Sequence, residues 1–247
     1  MNLTYELIAR RIDHSLLAPT MTVAELEAGC RLAADYGVAS VCIKPFAVAL
    51  AAKILEGNGV GVGTTVGFPH GGHASHIKVL ESVRAIEDGA TELDMVVNIG
   101  LVLGGRWDAV REDVAGVTEA AHRGGAIVKV IFEVCYLTDE QKERLCAICG
   151  EVGADYVKTS TGYGTGGATR DDILLMRRSS LARVKVKAAG GIRDLETTID
   201  YVKLGCDRIG LSKTAEILDA LRDRLGQARL VPRETPAHEG GAAHDTY

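Results

Sequence analysis

The chain has few aromatic residues, no excess of positive charge and no long apolar run, and each shortage removes a class of function. Aromatics make up 4% of its 247 residues. So few rings give no base-stacking platform for single-stranded nucleic acid and no interfacial belt for a membrane protein. The formal net charge is −5, which offers no general attraction to nucleic acid or acidic membranes. No apolar stretch approaches transmembrane length. The opening Met1-Asn2-Leu3-Thr4-Tyr5-Glu6 lacks the basic and apolar regions of a signal peptide. Six cysteines do not make a disulfide framework in a chain this long. These shortages predict a soluble cytoplasmic protein with reduced thiols, and no nucleic-acid or membrane partner.

What is present is alternation. Short candidate strands, most of them rich in Val and Ile, occur at 11–14, 38–44, 60–68, 92–98, 127–134, 156–160, 184–188 and 208–211. Helix signals lie between them. Thr22-Val23-Ala24-Glu25 and Thr138-Asp139-Glu140-Gln141 read as capping boxes, and Gly37 ends the first of those helices. Pro45 suits a first helical position, Ser75 a cap, and Asp194 and Gly205 bracket a further helix. Ser212 or Thr214 opens the last helix, which Gly226 closes.

Eight strand–helix units in this length predict a closed (β/α)8 barrel over 1–230, with an extra helix at 3–10 covering its bottom. A doubly wound open sheet is the alternative, but no GxGxxG turn joins the first strand to its helix. Residues 231–247 have no apolar period and read as a mobile tail.

Barrel enzymes place their chemistry at the C-terminal ends of strands. Strand parity assigns the faces. Glu92, Asp94 and Asn98 share one face, as do Lys129, Ile131 and Glu133, then Tyr156, Lys158 and Ser160, then Lys185 and Lys187. The barrel interior is thus expected to hold Asp94, Lys129, Lys158 and Lys187, joined by Asp13. Buried charges are costly, and a set of them marks a functional site more readily than a single one.

Two lysines at strand mouths suggest imine chemistry on a carbonyl. The nucleophile must be a neutral amine, and burial beside a second ammonium lowers its pKa. Lys158 ends an apolar run and is followed by hydroxyls and glycine, which favours it, but parity leaves Lys158 and Lys187 interchangeable. Asp94 can keep the other lysine protonated and pass protons through a water.

Three glycine-containing turns lie on the same side: Ser160-Thr161-Gly162, Gly190-Gly191-Ile192-Arg193 and Gly210-Leu211-Ser212. The last two follow strands seven and eight, where barrels often bind phosphate on backbone N–H groups. Arg193 and Lys213 can add charge. Other features carry less. Cys146 and Cys149 match CxxC but fall inside an expected helix. Cys42 reads as a buried thiol near the site, and His14 as a core hydrogen-bonding group. His70, His73 and His76 match no zinc spacing and read as a solvent loop.

Taken together the chain resembles the deoxyribose-phosphate aldolase family of class I aldolases across about residues 8–230. The marks are Ile12-Asp13-His14-Ser15-Leu16-Leu17, Val41-Cys42-Ile43-Lys44-Pro45, Thr65-Val66-Gly67-Phe68-Pro69 and Glu92-Leu93-Asp94-Met95-Val96-Val97-Asn98. Val157-Lys158-Thr159-Ser160-Thr161-Gly162, Lys187-Ala188-Ala189-Gly190-Gly191-Ile192-Arg193 and Arg208-Ile209-Gly210 complete the set.

The resemblance implies reversible, metal-independent and cofactor-free cleavage of 2-deoxy-D-ribose 5-phosphate to acetaldehyde and D-glyceraldehyde 3-phosphate. Lys158 would form the imine, Asp94 and Lys187 would move protons, and Asp13 and Lys129 would support them. Thr161, Gly162, Gly190, Gly191, Arg193, Gly210 and Ser212 would hold phosphate. Tyr163 stands where some members carry lysine, and Leu211-Ser212-Lys213 replaces the small residues expected there. Tyr247 matches a terminal tyrosine that assists proton transfer in some members. A homodimer is expected. A phosphosugar isomerase or synthase, or a non-catalytic sugar-phosphate-binding barrel, is the alternative.

Overall fold

The computed structural model describes residues 3–230. The tail expected at 231–247, Tyr247 included, lies outside the described residues.

Eight parallel strands close into a barrel in sequence order. They are β1 (Ile12–Leu16), β2 (Ser40–Ile43), β3 (Gly61–Val66), β4 (Glu92–Val96), β5 (Ile127–Ile131), β6 (Tyr156–Lys158), β7 (Lys185–Ala189) and β8 (Arg208–Leu211). The helices are α1 (Tyr5–Ala9), α2 (Val23–Tyr36), α3 (Val48–Leu55), α4 (Ser75–Glu87), α5 (Ile99–Leu103) and α6 (Trp107–Arg123). They continue as α7 (Asp139–Val152), α8 (Arg170–Ser179), α9 (Leu195–Lys203) and α10 (Thr214–Arg224). No helix among the described residues is long and apolar enough to cross a membrane.

Local chemistry sets the helix ends. Both expected capping boxes form: Thr22 with Glu25 at α2, and Thr138 with Gln141 at α7. Gly37 closes α2 in the left-handed region that glycine occupies without steric cost. One expected cap is missing, and one expected helix start carries an added contact. Ser75 is the first residue of α4 and makes no side-chain cap. Thr214 begins α10 as expected, and its hydroxyl lies 2.8 Å from His14 Nδ1. Arg10, just after α1, reaches the Val38 and Gly59 carbonyls. Those carbonyls precede β2 and β3, so α1 lies at the bottom of the barrel.

Most strands stop short of their apolar runs. β5 ends at Ile131, although Phe132 and Val134 remain fully or almost fully buried. Such residues leave the ladder but keep packing on the core, so hydrophobicity alone overextends the strand. The core lies between barrel and helices. Val41, Ile43, Leu93, Met95, Val128 and Val130 alternate outward from their strands and are buried there. Each such side chain contributes about 1.5–3 kcal/mol by leaving water. That apolar jacket leaves the opposite parity free to carry charge.

Candidate active site

The inward parity gathers seven ionised side chains. Asp94 on β4 is fully buried and touches three ammonium groups. Its Oδ2 lies 2.7 Å from both Lys158 Nζ and Lys187 Nζ, and its Oδ1 2.9 Å from Lys129 Nζ. Lys187 also meets Asp13 at 2.5 Å. Lys129 meets Glu92 at 2.6 Å and Asp13 at 3.4 Å. Arg208 reaches Glu92 at 3.0 Å and Asp13 at 2.5 Å. The expected set of Asp13, Asp94, Lys129, Lys158 and Lys187 is therefore one cluster. Lys185 shares parity with Lys187 but is exposed at the start of β7, over the Tyr156 ring.

Glu92 and Arg208 complete the cluster. Glu92 was visible from parity. Arg208 stands on β8, where it follows no alternation of polar residues, and its role was not legible.

The two lysines that parity left interchangeable differ in their charged neighbours. Lys129, Lys158, Lys187 and Arg208 form direct ion pairs with Asp13, Glu92 and Asp94, while Glu133 acts on Lys158 from beyond ion-pair distance. Three cations have two or more carboxylates each; Lys158 has Asp94 alone, shared with two other lysines. Burial opposes charge on every one. For Lys129 and Lys187, burial is overcome by the carboxylates and the pKa is raised. For Lys158, burial wins over Asp94, the Lys187 ammonium adds to it, and the pKa is lowered. Burial also works against ionised Asp94, but Lys129, Lys158 and Lys187 hold its carboxyl well below the usual range. Lys158 is thus the amine most able to give up its proton.

A cavity of about 660 Å³ opens above this cluster. Asp13, Lys158 and Lys187 line its floor, while Lys129, Glu92 and Arg208 lie outside its lining. Its rim includes all seven expected phosphate residues: Thr161, Gly162, Gly190, Gly191, Arg193, Gly210 and Ser212. Gly210 leaves room for the chemistry, since a Cβ there would lie 3.2 Å from Lys187 Cε. Gly190 and Gly191 both have positive φ, 86° and 78°, and so turn the chain toward the N-terminus of α9 at little cost.

Known proteins share this fold and sequence. The model of the DeoC/LacD family aldolases matches residues 7–210. A deoxyribose-phosphate aldolase of Rhodopirellula baltica is 55% identical over 226 residues, covering 92% of this chain and 94% of that one. One of Clostridium tetani is 44% identical over 86% of this chain and 98% of its own length. A solved deoxyribose phosphate aldolase of Aeropyrum pernix, described as a tetramer, superposes with a TM-score of 0.82 at 32% identity. That match covers 90% of this chain and 93% of the other. The chain belongs to the DeoC/LacD aldolase family.

Within this aldolase one rim residue is already occupied. Thr161 donates its N–H to Glu133 Oε1 at 3.2 Å and its hydroxyl to Glu133 Oε2. Its donors are committed to protein, which differs from the phosphate contact expected of it. Glu133 is buried, has φ 56°, and is the one non-glycine residue with positive φ among the described residues. Such a conformation costs on the order of 1–3 kcal/mol and persists where surroundings enforce it. Burial raises the Glu133 pKa, partly offset by the Thr161 donors. Strand parity placed this carboxylate on the inner face but gave no sign of the left-handed turn.

Tyr163 bridges the mouth of the aldolase. Its hydroxyl donates to the Leu17 carbonyl at 2.8 Å, and its ring meets Phe68 edge-on with centroids 5.3 Å apart. Cys42 lines the floor with its Sγ 3.9 Å from Asp94 Oδ2; burial, aided by Asp94, pushes its thiol up to about 11. Cys146 and Cys149 are buried, unpaired thiols within α7. No metal-holding group of three or more His, Cys, Asp or Glu occurs among the described residues.

Proposed function

We propose that this aldolase reversibly cleaves 2-deoxy-D-ribose 5-phosphate to acetaldehyde and D-glyceraldehyde 3-phosphate, with Lys158 as the imine-forming residue. The observation that carries the assignment is the charge count: three buried lysines and the part-buried Arg208 pair directly with three carboxylates, and Lys158 is the poorly paired one on the cavity floor. The curated relatives named above carry the same activity in their names.

The neutral Lys158 Nζ attacks the aldehyde carbon of the open-chain sugar. Loss of water gives a protonated imine. A base removes the proton of the C3 hydroxyl, the C2–C3 bond breaks, its electron pair becomes the C1–C2 double bond, and the C=N pair moves to the iminium nitrogen. Glyceraldehyde 3-phosphate leaves with the new carbonyl, and the two carbons on Lys158 remain as an enamine. Protonation of the enamine carbon and hydrolysis release acetaldehyde and restore Lys158. Asp94 and Lys187 serve as the proton pair: Asp94 Oδ2 accepts from Lys158 Nζ and from Lys187 Nζ, and so links Lys187 to the reacting nitrogen. Asp13 and Lys129 keep that pair ionised.

The phosphate is assigned to the rim at Gly162, Gly190, Gly191, Arg193, Gly210 and Ser212, opposite the floor lysines. A role for Tyr247 in protonating the enamine is carried forward as a proposal. So are a homodimeric assembly and a cytoplasmic workplace, the latter in keeping with six unpaired cysteines. The isomerase and binding-protein readings are not favoured, because the family is one of aldolases.

The test is release of acetaldehyde and glyceraldehyde 3-phosphate from the phosphosugar in the presence of a strong chelator. Turnover of wild type and none by Lys158→Arg support the reading; equal turnover by both overturns it.

A further inference from the structure

We propose that Glu133 is a positioning residue whose carboxylate clasps Thr161 and thereby shapes the glycine-rich segment 162–167 at the phosphate end of the cavity. The inference rests on the reading of the substrate as a phosphosugar.

Four of the six residues from 162 to 167 are glycine. Such a segment loses much conformational entropy when ordered and contributes few side chains to hold itself. Yet it forms one wall of the main cavity and of a smaller hollow of about 350 Å³ beside it. The two spaces share Gly162, Tyr163, Gly190, Gly191 and Arg193. Something outside the segment must set its shape.

It is pinned at both ends. At the far end, Ala168 N–H lies 3.1 Å from the Ala189 carbonyl and 3.2 Å from that of Gly190. Gly167 packs so closely there that a Cβ would sit 2.3 Å from Gly190 O. At the near end the anchor is Glu133. Both of its carboxylate oxygens accept from Thr161. Thr161 Oγ1 in turn accepts the Tyr163 N–H at 2.9 Å, and the Tyr163 hydroxyl crosses to Leu17. Gly164 lies over the same carboxylate, where a Cβ would meet Glu133 Cδ at 2.9 Å. The Val134 N–H, 3.0 Å from Thr159 O, fixes the turn that presents Glu133.

A buried carboxylate, held in a left-handed backbone and spending both oxygens on one threonine, is poorly explained as general packing. Its position explains why Thr161 points its donors away from the cavity. It leaves phosphate to the backbone of Gly162 and the Gly190–Gly191 turn, whose spacing the clasp sets.

The test uses the full chain and four proteins: wild type, Glu133→Ala, Glu133→Gln and Thr161→Val. Two readouts are taken. One is amide hydrogen exchange across 161–167. The other is kcat and KM with 2-deoxyribose 5-phosphate and with unphosphorylated 2-deoxyribose. In Glu133→Ala, exchange there should quicken at least about tenfold, as local opening becomes easier. KM for the phosphosugar should rise about tenfold, the scale of one lost charge-assisted contact. KM for the unphosphorylated sugar should move less than about threefold, and kcat less than about threefold with either. Thr161→Val should follow the same direction. Glu133→Gln, which can still bond both Thr161 groups, should stay near wild type.

Unchanged exchange in Glu133→Ala overturns the clasp. So does an equal loss with both sugars, which is what a purely structural role gives. If wild type turns over neither sugar, the aldolase reading falls. The clasp is then judged by exchange and by the affinity for inorganic phosphate, which should weaken in Glu133→Ala and hold in Glu133→Gln; an equal affinity in both overturns it.

Discussion

The lower and upper halves of the barrel interior use the same residue types to opposite ends. Below, Arg208, Lys129, Glu92 and Asp13 form a set in which each cation meets two carboxylates of the set, linked upward by Asp13 to Lys187 and by Lys129 to Asp94. Above, Lys158 faces the cavity with one carboxylate that two other lysines also claim. The lower set serves as structure, since buried pairs are tolerable only when fully compensated. The upper set is left one anion short, and the shortage falls on the one lysine that lines the cavity and lacks a second acid. The reactivity proposed for Lys158 comes from an imbalance held in place by a more nearly balanced foundation.

Removing Lys158 should separate the two halves most sharply. Lys158→Met should lower kcat/KM by at least about a thousandfold, as loss of a covalent nucleophile does. It also deletes the surplus cation, so its urea midpoint should equal or exceed that of wild type. A clear loss of stability would mean that Lys158 belongs to the foundation. The reverse is expected below. Arg208→Met leaves Glu92 to Lys129 alone and Asp13 to Lys187 and Lys129, and the lost charge-assisted bonds should cost about 1–3 kcal/mol in denaturant unfolding. If Arg208→Met is as stable as wild type, the division of labour is wrong.

A smaller effect is expected where the halves meet. Gly210→Ala places a methyl 3.2 Å from Lys187 Cε and 3.1 Å from Ala189 Cβ. It should lower kcat about tenfold, a fraction of what a 1 Å misplacement costs, with little change in urea midpoint. The gentlest probe is pH. Burial and the Lys187 ammonium lower the Lys158 pKa, so the rate of imine trapping should rise with pH and level off below the ordinary lysine range. In Lys187→Met that ammonium is gone and Asp94 is freer to pair with Lys158. Both changes favour the charged form, so the profile should move to higher pH.

Much of this was legible in the chain because it is local. A strand period of two placed Asp94, Lys129, Lys158 and Lys187 on one face, and capping boxes at Thr22 and Thr138 marked two helices. What was hidden depends on three dimensions. Lys185 shares the parity of Lys187, yet height along the barrel puts it in solvent. The pairing of Arg208 with Glu92 spans 116 positions. The choice between Lys158 and Lys187 needed a count of carboxylates around each Nζ. Thr161 looked like a free donor until Glu133, 28 positions away, was found holding it.

The central claim is that Lys158 is the amine that bonds carbon. The direct measurement is borohydride reduction in the presence of 2-deoxyribose 5-phosphate, followed by mass mapping of peptides. The account predicts one reduced adduct, on Lys158. An adduct on Lys187 instead, or none while the phosphosugar is shown to bind, would contradict it.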